Sequence, residues 1–180
     1  MIAAAAWLPW GRGVELPDAA AFAPRRILLA SEGRAFTPRA LDFAAGLAAR
    51  GGAGVVVLSI ARVWGTAFGL PHPGLMPSVR ELAEQREIVA AAVAALERAG
   101  VAAHGIVIGA RQPAKRIARE ARRRDCDTIV MSADAPRHWL IADFMWSQEP
   151  YRVRRKSKLP VYLLVDDTAA SARDRAGQEA

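Results

Sequence analysis

The chain has 180 residues and a mass of 19.3 kDa, and 52% of its residues are hydrophobic, which suits one ordinary domain with a core. Its 25 Lys and Arg residues against 18 Asp and Glu residues give a net charge of +7, which favours contact with anions without identifying one. The single cysteine, Cys126, excludes an internal disulfide framework, and no apolar run approaches the roughly 20 residues of a membrane-spanning helix. We therefore expect a protein of the reducing cytoplasm with no membrane partner.

Five short runs of apolar and β-branched residues predict five strands. Because these runs are almost continuously apolar, they are typical of strands that are covered on both faces. They lie at residues 26–30, 55–60, 101–108, 128–131 and 161–165. The fourth is followed by a stretch, residues 132–136, that contains no glycine and that we interpret as a loop.

A helix is predicted to follow the first strand. Thr37 is a favourable capping residue, and Pro38 suits the first helical position. Leu41, Ala45 and Ala48 recur at helical spacing, so we expect them to face the core. Two glycines at 51 and 52 end the pattern.

Three further helices are predicted between the later strands. Ser78 and Glu81 form a capping box, which predicts a helix start, and Gly100 marks its end. The third helix follows Pro113, and the last is predicted to start at Ser147.

Alternating strands and helices predict an α/β fold in which helices cover both faces of a parallel sheet. The predicted domain covers residues 25–165, with an irregular leader at 1–24 and a disordered tail at 166–180. The connection at residues 64–77 is rich in Gly and Pro, and it is either a lid over a site or an exposed excursion.

Four sequence pieces, in this order and spacing, resemble the universal stress protein family over residues 25–165. They are Arg-Ile-Leu-Leu-Ala-Ser-Glu-Gly at 26–33, Gly109-x-x-x-Pro113, Cys-Asp-Thr-Ile-Val-Met at 126–131, and Leu-Pro-Val-Tyr-Leu-Leu-Val at 159–165. The resemblance implies an open, Rossmann-like parallel sheet of five strands in the order 3-2-1-4-5. It also implies a homodimer through the final strand, Val161–Val165, and it raises ATP as a possible ligand, since many members of the family bind ATP.

Sheets of this kind bind ligands outside the carboxyl ends of the strands, where the winding direction reverses, here between the first and fourth strands. Ser31, Glu32 and Gly33 would line one side of that crevice, and Met131 and the residues after it would line the other. The family usually has Asp where this sequence has Glu32, so the resemblance places this carboxylate near the nucleoside. A glutamate can still accept hydrogen bonds from ribose hydroxyls.

The ATP-binding members carry Gly-x-x-Gly, nine residues, and then Gly-Ser or Gly-Thr after the fourth strand. This sequence has Ser132 and Ala135 at the first two glycines, and Met145 or Trp146 at the third, ahead of Ser147. Glycine permits a left-handed backbone and close approach to phosphates, and another residue there costs roughly 1–2 kcal/mol. Two or three such costs would weaken phosphate binding by about a hundredfold or more. The resemblance is therefore to the subclass without the glycine signature.

Arg137 follows this loop and has two interpretations. It could pair with a phosphate and so compensate in part for the missing glycines, or it could be a solvated loop charge. The candidate residues of a degenerate nucleotide crevice are therefore Ser31, Glu32, Gly33, Met131, Ser132, Ala135, Arg137 and Ser147.

A basic cluster precedes the last strand, at Arg152, Arg154, Arg155, Lys156 and Lys158. Charge runs are usually solvated faces, and only one aromatic residue, Tyr151, adjoins this one. We therefore do not expect nucleic acid as a partner. The three histidines lie in no metal-binding spacing, so no metal site is expected.

No motif of a P-loop kinase, a dehydrogenase or a serine hydrolase occurs, so we do not expect an enzyme, although slow ATP hydrolysis stays open. The first hypothesis is a regulatory or protective module that acts through dimerisation and association with a protein partner of unknown identity, without a bound cofactor. The alternative is an adenine-nucleotide sensor with a non-standard phosphate loop.

Overall fold

The structure, a computed structural model, describes residues 16–62, 77–133 and 149–165. The strands are β1 (Arg26–Ser31), β2 (Gly54–Arg62), β3 (Ala103–Ala110), β4 (Thr128–Ala133) and β5 (Val161–Val165). The helices of the described residues are α1 (Pro38–Gly51), α2 (Val79–Arg98), α3 (Pro113–Arg123) and α4 (Glu149–Lys156).

The five strands form one sheet in which every neighbouring pair is parallel. The strand order is β3-β2-β1-β4-β5, so the predicted α/β fold and its order are confirmed. β1 lies at the centre, and all of its residues except Arg26 are buried. The winding direction reverses between β1 and β4, and the carboxyl ends of these strands open the crevice that the sequence predicts.

The helices form a layer on each face of the sheet. Alternate residues of β1 point to opposite faces, so Leu29 packs with the buried side chains of α1 and α2. Leu28 packs on the other face with Ala114 and Ile117 of α3 and with Val153 of α4. The sheet is therefore covered on both sides, which explains why its strands are apolar at nearly every position.

The predicted helix starts are confirmed for α1 and α2. The Thr37 hydroxyl accepts a hydrogen bond from the Ala40 amide at 3.3 Å, and Pro38 occupies the first position of α1. Ser78 and Glu81 make both hydrogen bonds of a capping box at the start of α2. These local hydrogen bonds need no distant partner, which is why the sequence alone reveals them.

Several details of the prediction were wrong by one or two residues, including the bounds of β2, which is Gly54–Arg62 instead of 55–60. α1 buries Ala40, Ala44, Leu47 and Ala48, whereas Leu41 and Ala45 are only half-buried, so the inward face is rotated by about one position. β3 covers Ala103–Ala110 instead of residues 101–108. β4 continues through Ala133, because Ser132 and Ala133 pair with β5, so the stretch after Met131 is not yet a loop.

The segment at residues 16–24 contains a turn but no helix or strand, and it packs on the α1 side of the sheet. Leu16, Ala19 and Phe22 contact the core there. The Tyr162 hydroxyl donates a hydrogen bond of 2.9 Å to the carbonyl oxygen of Pro17, and the ring of Phe22 lies 6.4 Å from that of Tyr162. Contacts with the core therefore begin before the predicted domain boundary at residue 25.

Several predicted segments lie outside the described residues. They are most of the leader, most of the connection at 64–77, the residues after Ala133 up to the start of α4, and the tail at 166–180. Among the helices that the structure describes, none is long and apolar enough to cross a membrane.

Candidate functional site

The candidate site is the crevice at the carboxyl ends of β1 and β4. Ser31 ends β1, and Glu32 and Gly33 follow it, so these residues line one side as expected. Met131 and Ser132 belong to β4 on the other side. The remaining three candidates, Ala135, Arg137 and Ser147, lie outside the described residues.

Ser31 and Gly33 form a tight turn at the end of β1. The Ser31 hydroxyl donates to the carbonyl oxygen of Arg34 at 2.5 Å and accepts from the Gly33 amide at 3.2 Å. Gly33 has a φ of +108°, and a β-carbon there would lie 3.0 Å from the carbonyl oxygen of Ile60. Glycine is therefore required for the turn, and the Ser31 hydroxyl already has a structural role.

Glu32 is a buried carboxylate that is paired within its own turn. The residue is 5% exposed, and its Oε1 lies 2.7 Å from both Nε and Nη2 of Arg34. A buried charge is costly unless it is paired, so this contact compensates the carboxylate. A ribose hydroxyl would have to share Glu32 with the Arg34 guanidinium.

Gln85 of α2 also reaches this turn, and the sequence analysis did not identify it. Its Nε2 donates to the carbonyl oxygen of Gly33 at 3.0 Å, and its Oε1 accepts from the hydroxyl of Ser59, a buried residue of β2, at 2.5 Å. One signal was available, since Gln85 lies between Leu82 and Val89 at the spacing of the apolar stripe on α2. A polar residue in such a stripe indicates a buried partner.

Met131 and Ser132 contribute less to the crevice than the sequence suggested. Met131 is fully buried and packs in the core on the side of α3 and α4. The Ser132 hydroxyl lies 2.9 Å from the hydroxyl of Thr37, within hydrogen-bond distance, and so joins β4 to the start of α1. Ser132 pairs with Leu164 and Ala133 with Val165 in the sheet. The first position of the glycine pattern is therefore part of a strand.

Two hydrogen-bonded groups join side chains from different elements of the crevice. One group joins Ser59, Gln85 and the carbonyl of Gly33, and the other joins Thr37 and Ser132. These groups satisfy polar atoms inside the protein, as buried polar atoms require. A ligand that took hydrogen bonds from the donors already used here would compete with these internal contacts.

Two further observations concern metal binding and thiol chemistry in the described part of the chain. No cluster of three or more His, Cys, Asp or Glu residues there could hold a metal ion. Burial raises the pKa of the Cys126 thiol to about 11. The thiol is therefore neutral near pH 7 and is a poor nucleophile.

Comparisons with known proteins point to one family. A sequence model of the universal stress protein family matches residues 24–164. A universal stress protein from Archaeoglobus fulgidus in complex with dAMP is similar in structure, with a TM-score of 0.57 and 21% identity, over 79% of this chain and 97% of that one. A protein of this family from Burkholderia pseudomallei has a TM-score of 0.57 and 27% identity, over 78% and 95%.

A third similar structure is a universal stress protein family protein from Arabidopsis thaliana with AMP bound. Its TM-score is 0.52 at 14% identity, over 85% of this chain and 99% of that one. A comparison with curated protein sequences gave no match.

Proposed function

Because the chain belongs to the universal stress protein family, we propose that it is a cytoplasmic regulatory or protective module that acts by association with other proteins. In this proposal it forms a homodimer, carries out no chemical turnover, and keeps a nucleotide crevice that no longer holds phosphates. The partner is a protein, and stress conditions are the setting in which it acts.

The observation that carries the proposal is the extension of β4 through Ser132 and Ala133. Both residues pair with β5, so their backbone groups take part in the sheet. A phosphate cradle needs backbone amides that are directed at the ligand and that no side chain shields. Ser132 carries a β-carbon and a hydroxyl that already contacts Thr37. Both features weaken the phosphate binding that the start of this loop can provide.

The state of Glu32 supports the same conclusion. Its carboxylate contacts the Arg34 guanidinium at 2.7 Å, and the neighbouring carbonyl of Gly33 is held by Gln85. A nucleoside would have to compete with these internal contacts, and removing the cation beside a buried carboxylate is costly. These contacts support the proposal that the crevice does not hold an adenine nucleotide in the way of the glycine-bearing members.

Dimerisation is proposed through β5, which lies at the edge of the described sheet beyond β4. An edge strand presents backbone groups that a second copy can pair with. The guanidinium of Arg39 donates to the carbonyl oxygen of Val165 at 2.5 Å, which fixes the carboxyl end of the strand against α1. Light scattering over a dilution series at micromolar concentration should give the mass of a dimer. A strict monomer would contradict this part of the proposal.

The second candidate function is an adenine-nucleotide sensor, and the similar structures favour it. Two of those proteins are complexes with dAMP and with AMP. In this alternative, Arg137 and Ser147 complete a rearranged phosphate loop around the crevice. Slow ATP hydrolysis would be compatible with it.

Thermal unfolding with and without millimolar ATP and magnesium separates the two candidates. A ligand at 100 times its dissociation constant stabilises a protein by about 2.7 kcal/mol, which is easily measured. We expect no shift, and we expect the purified protein to carry no nucleotide. The informative variant is Glu32→Gln, since a shift that the native protein shows and this variant loses would establish the sensor.

A further inference from the structure

The excess of basic over acidic residues in the chain lies in two helices. α3 and α4 together carry nine basic and two acidic residues, a formal charge of +7, which equals the net charge of the whole chain. The other residues include 16 basic and 16 acidic side chains and are neutral on balance. α3 and α4 cover the same face of the sheet, so the charge lies on one side of the molecule.

The two acidic residues of these helices are directed inward. Glu120 is 1% exposed and lies between Arg116 and Arg124, at 3.1 Å and 3.3 Å. The Arg116 guanidinium is close enough to Glu120 to form an ion pair, but the two groups are not aligned for a hydrogen bond. Glu149 is also buried, and it accepts hydrogen bonds from the Ala114 amide and from Arg152. Glu120 also lies 4.0 Å from the exposed Arg123, and neither carboxylate pairs with Arg119, Arg122 or Arg155.

The exposed basic side chains of α3 and α4 form a surface that we call the basic face. They are Lys115, Arg119, Arg122, Arg123, Arg155 and Lys156. The ion pairs of this region within the described residues use Arg116, Arg123, Arg124 and Arg152, and none uses Arg119, Arg122 or Arg155.

A cavity of about 120 Å³ lies where the start of α3 meets α4. Four basic side chains line it, those of Arg111, Lys115, Arg152 and Lys156, together with Glu149. The side of Glu149 that faces the protein is engaged by Ala114 and Arg152, as described above. The cavity is large enough for the end of one acidic side chain, and it opens on the basic face.

We propose that the basic face binds an acidic segment of a partner polypeptide, with one carboxylate side chain of that segment in the cavity. The inference rests on the proposed function, since it names the chemistry of the associating partner. Arginine suits this role because its guanidinium can hold a carboxylate through two parallel hydrogen bonds. Complementary charge also speeds the encounter of the two proteins.

Other polyanions fit this face less well. Glu149 occupies the amide end of α3, the position where helices commonly hold phosphate. Within α3 and α4 the aromatic residue is Tyr151, which is half-buried, so bases of a single strand would find no stacking platform. The exposed large hydrophobic residue of the described chain is Val79 on α2, across the sheet, so the described residues offer a membrane no apolar anchor on this face.

Fluorescence anisotropy with a labelled peptide of alternating Glu and Ser tests the proposal on the full chain. We expect binding that weakens with added salt, as exposed ion pairs do. The double variant Arg119→Glu and Arg155→Glu should weaken it by about tenfold or more, because it removes two attractions and adds two repulsions. The matched control is Arg50→Glu with Arg86→Glu, which makes the same change in net charge at exposed positions of α1 and α2.

The control variant should bind the peptide within about twofold of the native protein, since its substitutions lie across the sheet. Equal loss in both double variants would mean that net charge alone attracts the peptide, and it would overturn the proposal. The neutral double variant, Arg119→Gln with Arg155→Gln, keeps the test valid if charge reversal disturbs folding. Its loss of binding free energy should be about half of the loss in the charge-reversal variant.

Duplex DNA and anionic lipid vesicles of equal charge serve as competing ligands. Tighter binding of either one than of the peptide would assign the face to nucleic acid or to membrane and would overturn the proposal. Failure of the peptide to bind would refute this inference, whereas ATP binding or a monomeric state would refute the proposed function. The two results are therefore distinguishable.

Discussion

At the scale of single residues, Thr37 connects two elements, α1 and β4. Its hydroxyl accepts from the Ala40 amide at the start of α1 and also contacts the hydroxyl of Ser132 in β4. A capping hydroxyl thus serves both helix formation and the attachment of α1 to the strand that borders the crevice.

Replacing Thr37 by Ala should lower the free energy of unfolding by about 1–2 kcal/mol, because both the cap and the contact with Ser132 are lost. Thr37→Ser is the matched control, since it keeps the hydroxyl and should stay within about 0.5 kcal/mol of the native protein. Urea unfolding measures both. Equal stability of the Ala variant and the native protein would show that these contacts contribute nothing.

Cys126 gives a prediction about pH. Burial raises the pKa of its thiol from an ordinary value of 9.0 to about 11. Between these two values the unfolded chain loses the thiol proton and the folded chain keeps it, so the free energy of unfolding should fall as the pH rises. The Cys126→Ala variant should lose less stability than the native protein over that range. Parallel curves in urea unfolding would contradict the assignment.

At the scale of elements, α3 shows how a helix with many arginines can still pack on a sheet. Ile117 and Ala121 face the core, and the carboxylate of Glu120 is buried between two arginines. The stems of these arginines can lie along the protein while their charged ends reach Glu120 or water.

Glu120→Gln should lower the free energy of unfolding by about 1.5–3 kcal/mol, because the neutral amide cannot compensate Arg116 and Arg124. Glu97→Gln, at an exposed position of α2, should change it by less than about 0.5 kcal/mol. Thermal or urea unfolding of both variants gives the comparison. A loss at Glu120 no larger than that at Glu97 would mean that the buried pair is not stabilising.

Local signals made most elements predictable from the sequence. The apolar runs located all five strands, and Thr37, Ser78 and Glu81 marked helix starts, because strand burial and capping depend on neighbouring residues. The contacts of the crevice were not predictable in this way. Gln85 meets Gly33 across 52 residues of sequence, and Thr37 meets Ser132 across 95. Such contacts depend on how elements are placed in space, which local patterns do not encode.

At the scale of the whole molecule, the uneven charge of the chain has a cost. The exposed cations of α3 and α4 repel one another in the folded state, while the rest of the chain is neutral on balance. The Debye length falls from about 10 Å at about 0.1 M salt to about 3 Å at about 1 M, so salt relieves repulsion between neighbouring side chains.

Added sodium chloride should therefore raise the thermal unfolding midpoint of the native protein, since it screens repulsion within the basic face. The double variant Arg119→Glu and Arg155→Glu should show a smaller rise, because it replaces repulsion by attraction on that face. Scanning calorimetry at several salt concentrations checks this. An equal rise in both proteins would indicate a general effect of salt instead.

The contact between Pro17 and Tyr162 joins the first described segment to the last strand across 145 residues. On a ribosome, β2 and β3 can join β1 early, whereas β5 is the last of the five strands to be synthesised. In the folded protein the rings of Phe22 and Phe43 lie 6.4 Å and 5.2 Å from that of Tyr162. These contacts cannot form before β5 is present. The contacts of both rings with Tyr162 therefore form only after all five strands of the sheet have been synthesised.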